Sequence, residues 1–189
     1  GYVDYINPQL YWATTSSGQD YDVLCEWWAK DVCQHFSDLL PDGKKVHFFS
    51  SQAAYRAVDG GFSEGVAEIQ KQITANRKNL SSGSTGSVFY NTTSYRQMST
   101  DLAESHFIYK ALPPAMDWKV TDDLDAPTQL TVSGKQITWQ HATAERFTVY
   151  AYPKGLDFET AHKDPQYLRR VVYGTACELD VNGLTDMTV

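Results

Sequence analysis

The sequence predicts an α/β segment followed by an all-β segment, and three observations carry that expectation. Short, almost continuously apolar runs begin at residues 2, 46 and 88 (Tyr2 to Ile6, Val46 to Phe49 and Val88 to Tyr90), at intervals of 44 and 42 residues. Each is followed by a stretch in which apolar residues return every three or four positions, the pattern of parallel strands buried on both faces and joined by helices. Past residue 120 the texture changes to alternating, β-branched runs punctuated by glycine and proline, which reads as a sandwich of short strands.

The first helix is expected after Gly18-Gln19-Asp20, where the Asp20 carboxylate can accept from the free amides of the opening turn. Its stripe is Tyr21, Leu24, Trp28, Val32, Phe36 and Leu39, and Pro41-Asp42-Gly43 stops it. The second begins near Ser63-Glu64, with Ser63 as cap, and carries Val66, Ile69 and Ile73. A loop over Ser81 to Gly86 precedes the third strand. The third helix spans about Ser99 to Leu112, with Leu102, His106 and Tyr109 on one face, and Pro113-Pro114 ends it. Residues 121 to 127, acidic and closed by Pro127, divide the chain into domains 1–120 and 121–189. Beyond them five strands are expected: Gln129 to Val132, Gln136 to Trp139, Phe147 to Tyr152, Tyr167 to Tyr173 and Cys177 to Val181. A complete sandwich of this kind needs about seven, so the second domain is expected to be truncated.

Composition narrows the partners. A net charge of −7 and the absence of a Lys/Arg run disfavour nucleic acid, whose phosphates would be repelled. Aromatics reach 13%, with twelve tyrosines and five tryptophans; most belong in a core, and the remainder suit a cleft where sugar rings stack on aromatic faces. Cys25 and Cys33 lie eight residues apart on one helix, roughly 12 Å by helix rise, too far for a disulfide, and read as buried thiols. No Cys-x-x-Cys or histidine pair stands at ligand spacing, so neither metal nor cofactor is expected. No apolar run is long enough for a transmembrane segment, and an export signal would lie outside the sequence.

In α/β barrels the working side chains follow the strands. Here those segments read Asn7-Pro8-Gln9-Leu10-Tyr11-Trp12, Ser50 to Arg56 and Asn91 to Tyr95, rich in amides, hydroxyls and aromatics. Glycoside hydrolysis needs two carboxyls flanking the bond. None stands at these strand ends: Asp4 lies within its strand, where a packing role is favoured over acid or base work, Asp59 in a Gly-rich loop, and Glu26, Glu64 and Glu68 on helices. Asn79-Leu80-Ser81 and Asn91-Thr92-Thr93 match the glycosylation acceptor pattern, for which a structural role is preferred.

Asp4 to Trp12, Trp27-Trp28-Ala29, Gln52-Ala53-Ala54-Tyr55, Glu68 to Ile73 with Arg77, and Pro113 to Trp118 together resemble the C-terminal part of the bacterial glycosyl-hydrolase-like family 10 barrel. The segment after Asp125 resembles the fibronectin-type domain that follows this barrel in Bacteroides-type members. The resemblance implies a fold of α/β plus all-β class: the last three β/α units of a (β/α)8 barrel, then an incomplete fibronectin type III-like β-sandwich. It implies a fragment of an exported, often lipid-anchored glycoside hydrolase acting on a polysaccharide or glycan in the periplasm, at the cell surface or outside the cell. The catalytic acids are expected upstream of Gly1, leaving this fragment inactive. Asn7, Gln9, Tyr11, Trp12, Gln52 and Tyr55 are the expected substrate-binding residues, amides holding hydroxyls and rings stacking. A non-catalytic carbohydrate-binding module, or a structural or adhesion module, is the alternative. Open strand edges predict self-association of the fragment.

Overall fold

A computed structural model describes residues 3–119, 124–179 and 187–188. Its contacts divide the chain into two compact units, Gly1–Ile108 with Pro114–Val120 and Tyr109–Pro113 with Thr121–Val189.

The first unit is built on an open parallel sheet. β1 (Tyr5–Ile6) and β2 (Gln9–Leu10) both lie along one edge of β3 (His47–Gln52), and β4 (Ser84–Phe89) lies along the other. Tyr5 faces His47 and Leu10 faces Gln52, so the offset of 42 residues is the same before and after Asn7-Pro8. β1 and β2 are therefore one interrupted strand. The interruption follows from Pro8, which has no amide hydrogen to give the ladder. Asn7 spans it: its side-chain amide donates to the Phe49 carbonyl at 2.5 Å, and the Ser51 amide donates to Pro8 O at 3.0 Å.

β4 starts four residues before its apolar run, inside the segment expected to be a loop. The polar composition that hides it has a packing reason. Gly86 faces Phe49, and a Cβ there would stand 3.0 Å from the phenyl ring. On the helix side, the Ser87 hydroxyl accepts from Asn76 at 2.9 Å.

α1 (Tyr21–Trp27) opens as expected, with the Asp20 carboxylate accepting from the amides of Asp22 and Val23. It runs on as a π-helix over Trp28–Gln34 and then as α2 (His35–Asp38). The buried stripe is Tyr21, Cys25, Ala29 and Cys33, whereas Phe36 and Leu39 of the expected stripe point to solvent. The longer i→i+5 turns keep four-residue steps on the sheet side and rotate the later positions away.

α3 (Ala54–Val58) and α4 (Val66–Lys78) follow β3, and α5 (Thr92–Ser105) follows β4. α4 starts after the expected Ser63 cap, with Gly65 as its N-cap, whose φ of 57° favours glycine and where a Cβ would stand 3.3 Å from the Ala57 carbonyl. α5 starts seven residues before Ser99 because the Asn91 side chain accepts from the Ser94 amide. It ends before His106, so Tyr109 lies outside it.

Two apolar clusters hold this unit. Tyr21, Cys25, Cys33, Phe48 and Ala75 fill the space between the first helix and the sheet, and Phe62, Ile69, Ile73, Met98 and Leu102 fill the space among α3, α4 and α5. A polar seam crosses the first: the Tyr21 hydroxyl lies 2.8 Å from Ser50 Oγ and 2.9 Å from Asn76 Oδ1, and Asn76 Nδ2 donates to Ser50 Oγ at 2.7 Å. Burial raises the Tyr21 phenol well above its ordinary value. At the start of the strands, Trp118 stacks on His47 with centroids 5.7 Å apart, and Asp4 pairs with Lys119. Asp4 thus precedes β1 and ties down residues 117–119.

The second unit is antiparallel. β5 (Thr128–Ser133), β6 (Gln136–Gln140), β7 (Arg146–Tyr150) and β8 (Tyr152–Pro153) precede the single turn α6 (Phe158–Ala161). β9 (Leu168–Tyr173), β10 (Ala176–Glu178) and β11 (Met187–Thr188) complete it. The order is β10-β6-β5 in one sheet, with β7 paired to β9 and β8 to β11. The expected run Phe147 to Tyr152 is two strands, with an irregular register between Val149 and Tyr150. Ile137, Trp139, Val149, Ala151 and Leu179 form the core. Residues 180 and 181 of the last expected strand lie outside the described residues.

Candidate functional site

The parallel strands end level with one another, because Leu10 and Phe89 both stand beside Gln52. Tyr11-Trp12, Ala53 to Arg56 and Tyr90-Asn91 therefore emerge at the same end of the sheet, the C-terminal end at which α/β folds carry their ligands. Three tyrosines meet there. Tyr11 stacks on Tyr90 with centroids 6.3 Å apart, and Tyr55 meets Tyr11 and Tyr90 edge-on at 6.1 and 6.3 Å. Tyr90 is 57% exposed, Tyr11 and Tyr55 are half-buried, and Trp12 is exposed.

The loop carrying Tyr11 and Trp12 is held by side chains of the next β/α unit. Arg56 Nη1 donates to the Tyr11 carbonyl at 2.6 Å, with its guanidinium 4.7 Å over the Phe62 ring. Gln72 Nε2 donates to the Trp12 carbonyl at 3.1 Å and to Glu68 Oε1 at 2.9 Å. Glu68 accepts from the Thr14 amide at 2.7 Å and, on its other oxygen, from the Thr14 hydroxyl at 3.1 Å.

Of the six residues singled out from sequence, Tyr11 and Tyr55 are brought into contact, and Trp12, which follows Tyr11 in the chain, is exposed. Gln9 is exposed on β2. The Asn7 amide is engaged by Phe49. Gln52 is fully buried on the helix side of β3, in phase with Phe48 and Ser50, and its Nε2 reaches Gln72 Oε1 at 3.4 Å. Tyr90, Arg56, Glu68 and Gln72 are not among those six, although Arg56 lies in the segment after the second strand and Glu68 and Gln72 lie in the run that carries the family resemblance. Tyr90 looked like the end of an apolar strand, and the other three look like the polar side of ordinary helices.

An apolar hollow of about 280 Å³ opens in the second unit, walled by Trp139, Phe147, Tyr150, Tyr152 and Phe158. The Trp139 indole N–H is sealed from solvent and has no hydrogen-bond partner.

No family model matches the sequence, and no solved structure matches it. The sequence is 35% identical over 81 residues, 41% of this chain, to Glycosyl hydrolase YngK of Bacillus subtilis (strain 168). It is 36% identical over 77 residues, 40% of this chain, to Glycosyl hydrolase DigH of Escherichia coli (strain K12). Over that stretch the chain is glycosyl-hydrolase-like. The matches span 14% and 17% of these relatives' own length.

In most glycosidases cleavage uses a proton donor and a second carboxylate across the bond. The segments 7–8, 11–14, 53–56 and 90–95 contain no Asp or Glu. Glu68, whose carboxylate bonds Thr14, is 2% exposed with both oxygens engaged. The arrangement can stack on a ring and hydrogen-bond to hydroxyls; the exposed carboxylate beside it is that of Asp59, one turn after Tyr55, which accepts from the Gly61 amide at 2.9 Å. Among the described residues no group of three His, Cys, Asp or Glu could hold a metal ion, and no helix is long and apolar enough to cross a membrane.

Proposed function

We propose that this chain supplies part of the carbohydrate-binding mouth of a glycoside hydrolase acting on a polysaccharide or glycan. In this reading residues 1–120 are the last three β/α units of a (β/α)8 barrel of the glycosyl-hydrolase-like family 10. Residues 121–189 are a fibronectin type III-like domain, and the parent protein works outside the cytoplasm. The observation that carries the reading is the cluster of Tyr11, Tyr55 and Tyr90 at the level end of three parallel strands, in a chain with partial relatives named glycosyl hydrolase. Aromatic faces and phenol hydroxyls are what a pyranose needs, an apolar platform with donors and acceptors at its rim.

The test is titration of the 189-residue chain with cellohexaose, chitohexaose and laminarihexaose, followed by amide chemical shifts. At least one is expected to shift residues 11–14, 55 and 90 without being cleaved. Tyr11→Ala or Trp12→Ala is expected to weaken that binding about fivefold, as loss of one stacking ring worth about 1 kcal/mol would. Shifts confined to other residues, or unchanged affinity in both variants, would remove the site from this end of the sheet. A second reading is a carbohydrate-binding module without catalysis, favoured by Glu68, the acid bonded to the Tyr11–Thr14 loop, being buried with both oxygens engaged. Activity of the parent protein that survives loss of all three tyrosines would favour it.

A further inference from the structure

The loop that presents Tyr11 and Trp12 closes on itself only at Ala13, whose amide donates to Ser16 Oγ at 3.0 Å and whose carbonyl accepts from the Ser16 amide at 3.1 Å. On either side of Ala13 its backbone polar groups are met by side chains of the following β/α unit: Tyr11 O by Arg56, Trp12 O by Gln72, and the Thr14 amide by Glu68. Glu68 is the centre of this arrangement. It is 2% exposed, and it accepts from three donors, the Thr14 amide at 2.7 Å, the Thr14 hydroxyl at 3.1 Å and Gln72 Nε2 at 2.9 Å. Gln72, fully buried, uses one amide nitrogen for both Glu68 and the Trp12 carbonyl, so the carboxylate also sets the direction of the bond that holds Trp12.

A carboxylate this deeply buried is unfavourable unless its charge is met. Here it is met without a cation among its bonded partners. Glu68 occupies the third position of α4, in the first turn, where the unpaired amides of a helix favour negative charge, and three donors converge on it. With both oxygens occupied and no access to solvent, it is not placed to exchange a proton with a substrate. What it can do is fix a loop.

We propose that Glu68 is the positioning residue of the aromatic platform, a buried carboxylate on α4 that clasps the Tyr11–Thr14 loop and so fixes where Tyr11 and Trp12 meet a sugar ring. This rests on the carbohydrate reading of the tyrosine cluster for its purpose, but the clasp itself is tested without any ligand.

The experiment is native-state hydrogen exchange on the full chain, comparing Glu68→Ala, Glu68→Gln and Thr14→Val with the wild type. Glu68→Ala is expected to speed exchange of the Thr14 amide about tenfold or more, with the β3 amides of Phe48 and Ser51 unchanged. Glu68→Gln keeps an oxygen for the Thr14 amide and is expected to restore protection to within about threefold. Thr14→Val, which removes one donor from the loop side and leaves Glu68 in place, keeps the test available if Glu68→Ala fails to fold. It is expected to speed Thr14 exchange a few-fold. Loop protection unchanged in Glu68→Ala, or in Thr14→Val where that is the folded variant, overturns the clasp. In a second arm each variant is titrated with whichever of the three hexaoses the wild type binds. The loss in affinity is expected to follow the loss of loop protection across the series. Unchanged affinity in a variant whose loop exchanges freely overturns the positioning role. Failure of the wild type to bind any of the three sinks the carbohydrate reading and leaves the exchange result to judge the clasp.

Discussion

Cys25 and Cys33 face the sheet from the first helix, and burial pushes their thiols up to about 12 and about 11. Only the thiolate reacts, so a disulfide reagent at pH 8 is expected to modify Cys177, which is partly exposed, ahead of both. Complete modification of all three should need denaturant. Equal rates for the three in the native protein would show that the first helix does not pack as described. Asp4 offers a second residue-scale prediction. Its hydrogen bond to Lys119, the largest influence on it, holds the carboxyl below its ordinary value of 3.8, with the Trp118 indole adding a second donor. A folded-state value lower than the unfolded one stabilises the fold above the unfolded value, and that contribution disappears as pH falls through the folded value. Asp4→Asn is therefore expected to melt below the wild type at pH 7, with the gap closing below pH 3.8. The pair is solvent-exposed, so the gap should be small and shrink with salt. A gap that persists at pH 2 would place its origin elsewhere.

At the scale of elements, α4 joins both clusters of the first unit. Ala75 belongs to the one beneath the first helix, and Ile69 and Ile73 belong to the one shared with α5. Ile73→Ala and Met98→Ala each remove a fully packed side chain and are expected to destabilise the protein by about 2 to 5 kcal/mol in urea unfolding. A change under about 0.5 kcal/mol would mean that these helices do not pack as described. β5 stands at the other extreme, with all six residues exposed and β6 as its partner among the described strands. Elements of that kind open at low free energy, so β5 amides should exchange far faster than those of β3.

For the whole molecule, the edges matter most. β4 pairs with β3 alone among the described residues and leaves Val88 41% exposed; β5 leaves Leu130 and Val132 more than half exposed. Unpaired strand edges with apolar side chains recruit further strands. The 21.3 kDa chain is expected to gain mass with concentration in light scattering, and Val132→Lys, which puts a charge on the β5 edge, is expected to reduce that gain. A constant mass of 21.3 kDa at every concentration sinks the idea.

Much of this was legible beforehand. Tyr5–Ile6, the run at 46 and the run at 88 lie in strands of a parallel sheet, of which β3 is buried while Tyr5 and Val88 stay exposed, and Asp20 caps the first helix, because strand runs and helix starts are specified by a few adjacent residues; residue 2 of the first run lies outside the described residues. The strand-end rule found Tyr11 and Tyr55 for the same reason, since it needs only the position of each strand. What sequence alone could not decide depended on residues brought together from far apart. The Ser84-Thr85-Gly86 start of β4 is a strand because Phe49 lies over Gly86, and Gln52 turns from the mouth to the helix layer because it is in phase with Phe48. Glu68 reads as an ordinary helix acid until Thr14, 54 residues away, is seen to donate to it. Local pattern specifies elements, since their periods are short; the partners of a buried polar group are set by which elements touch, and that is a property of the tertiary structure.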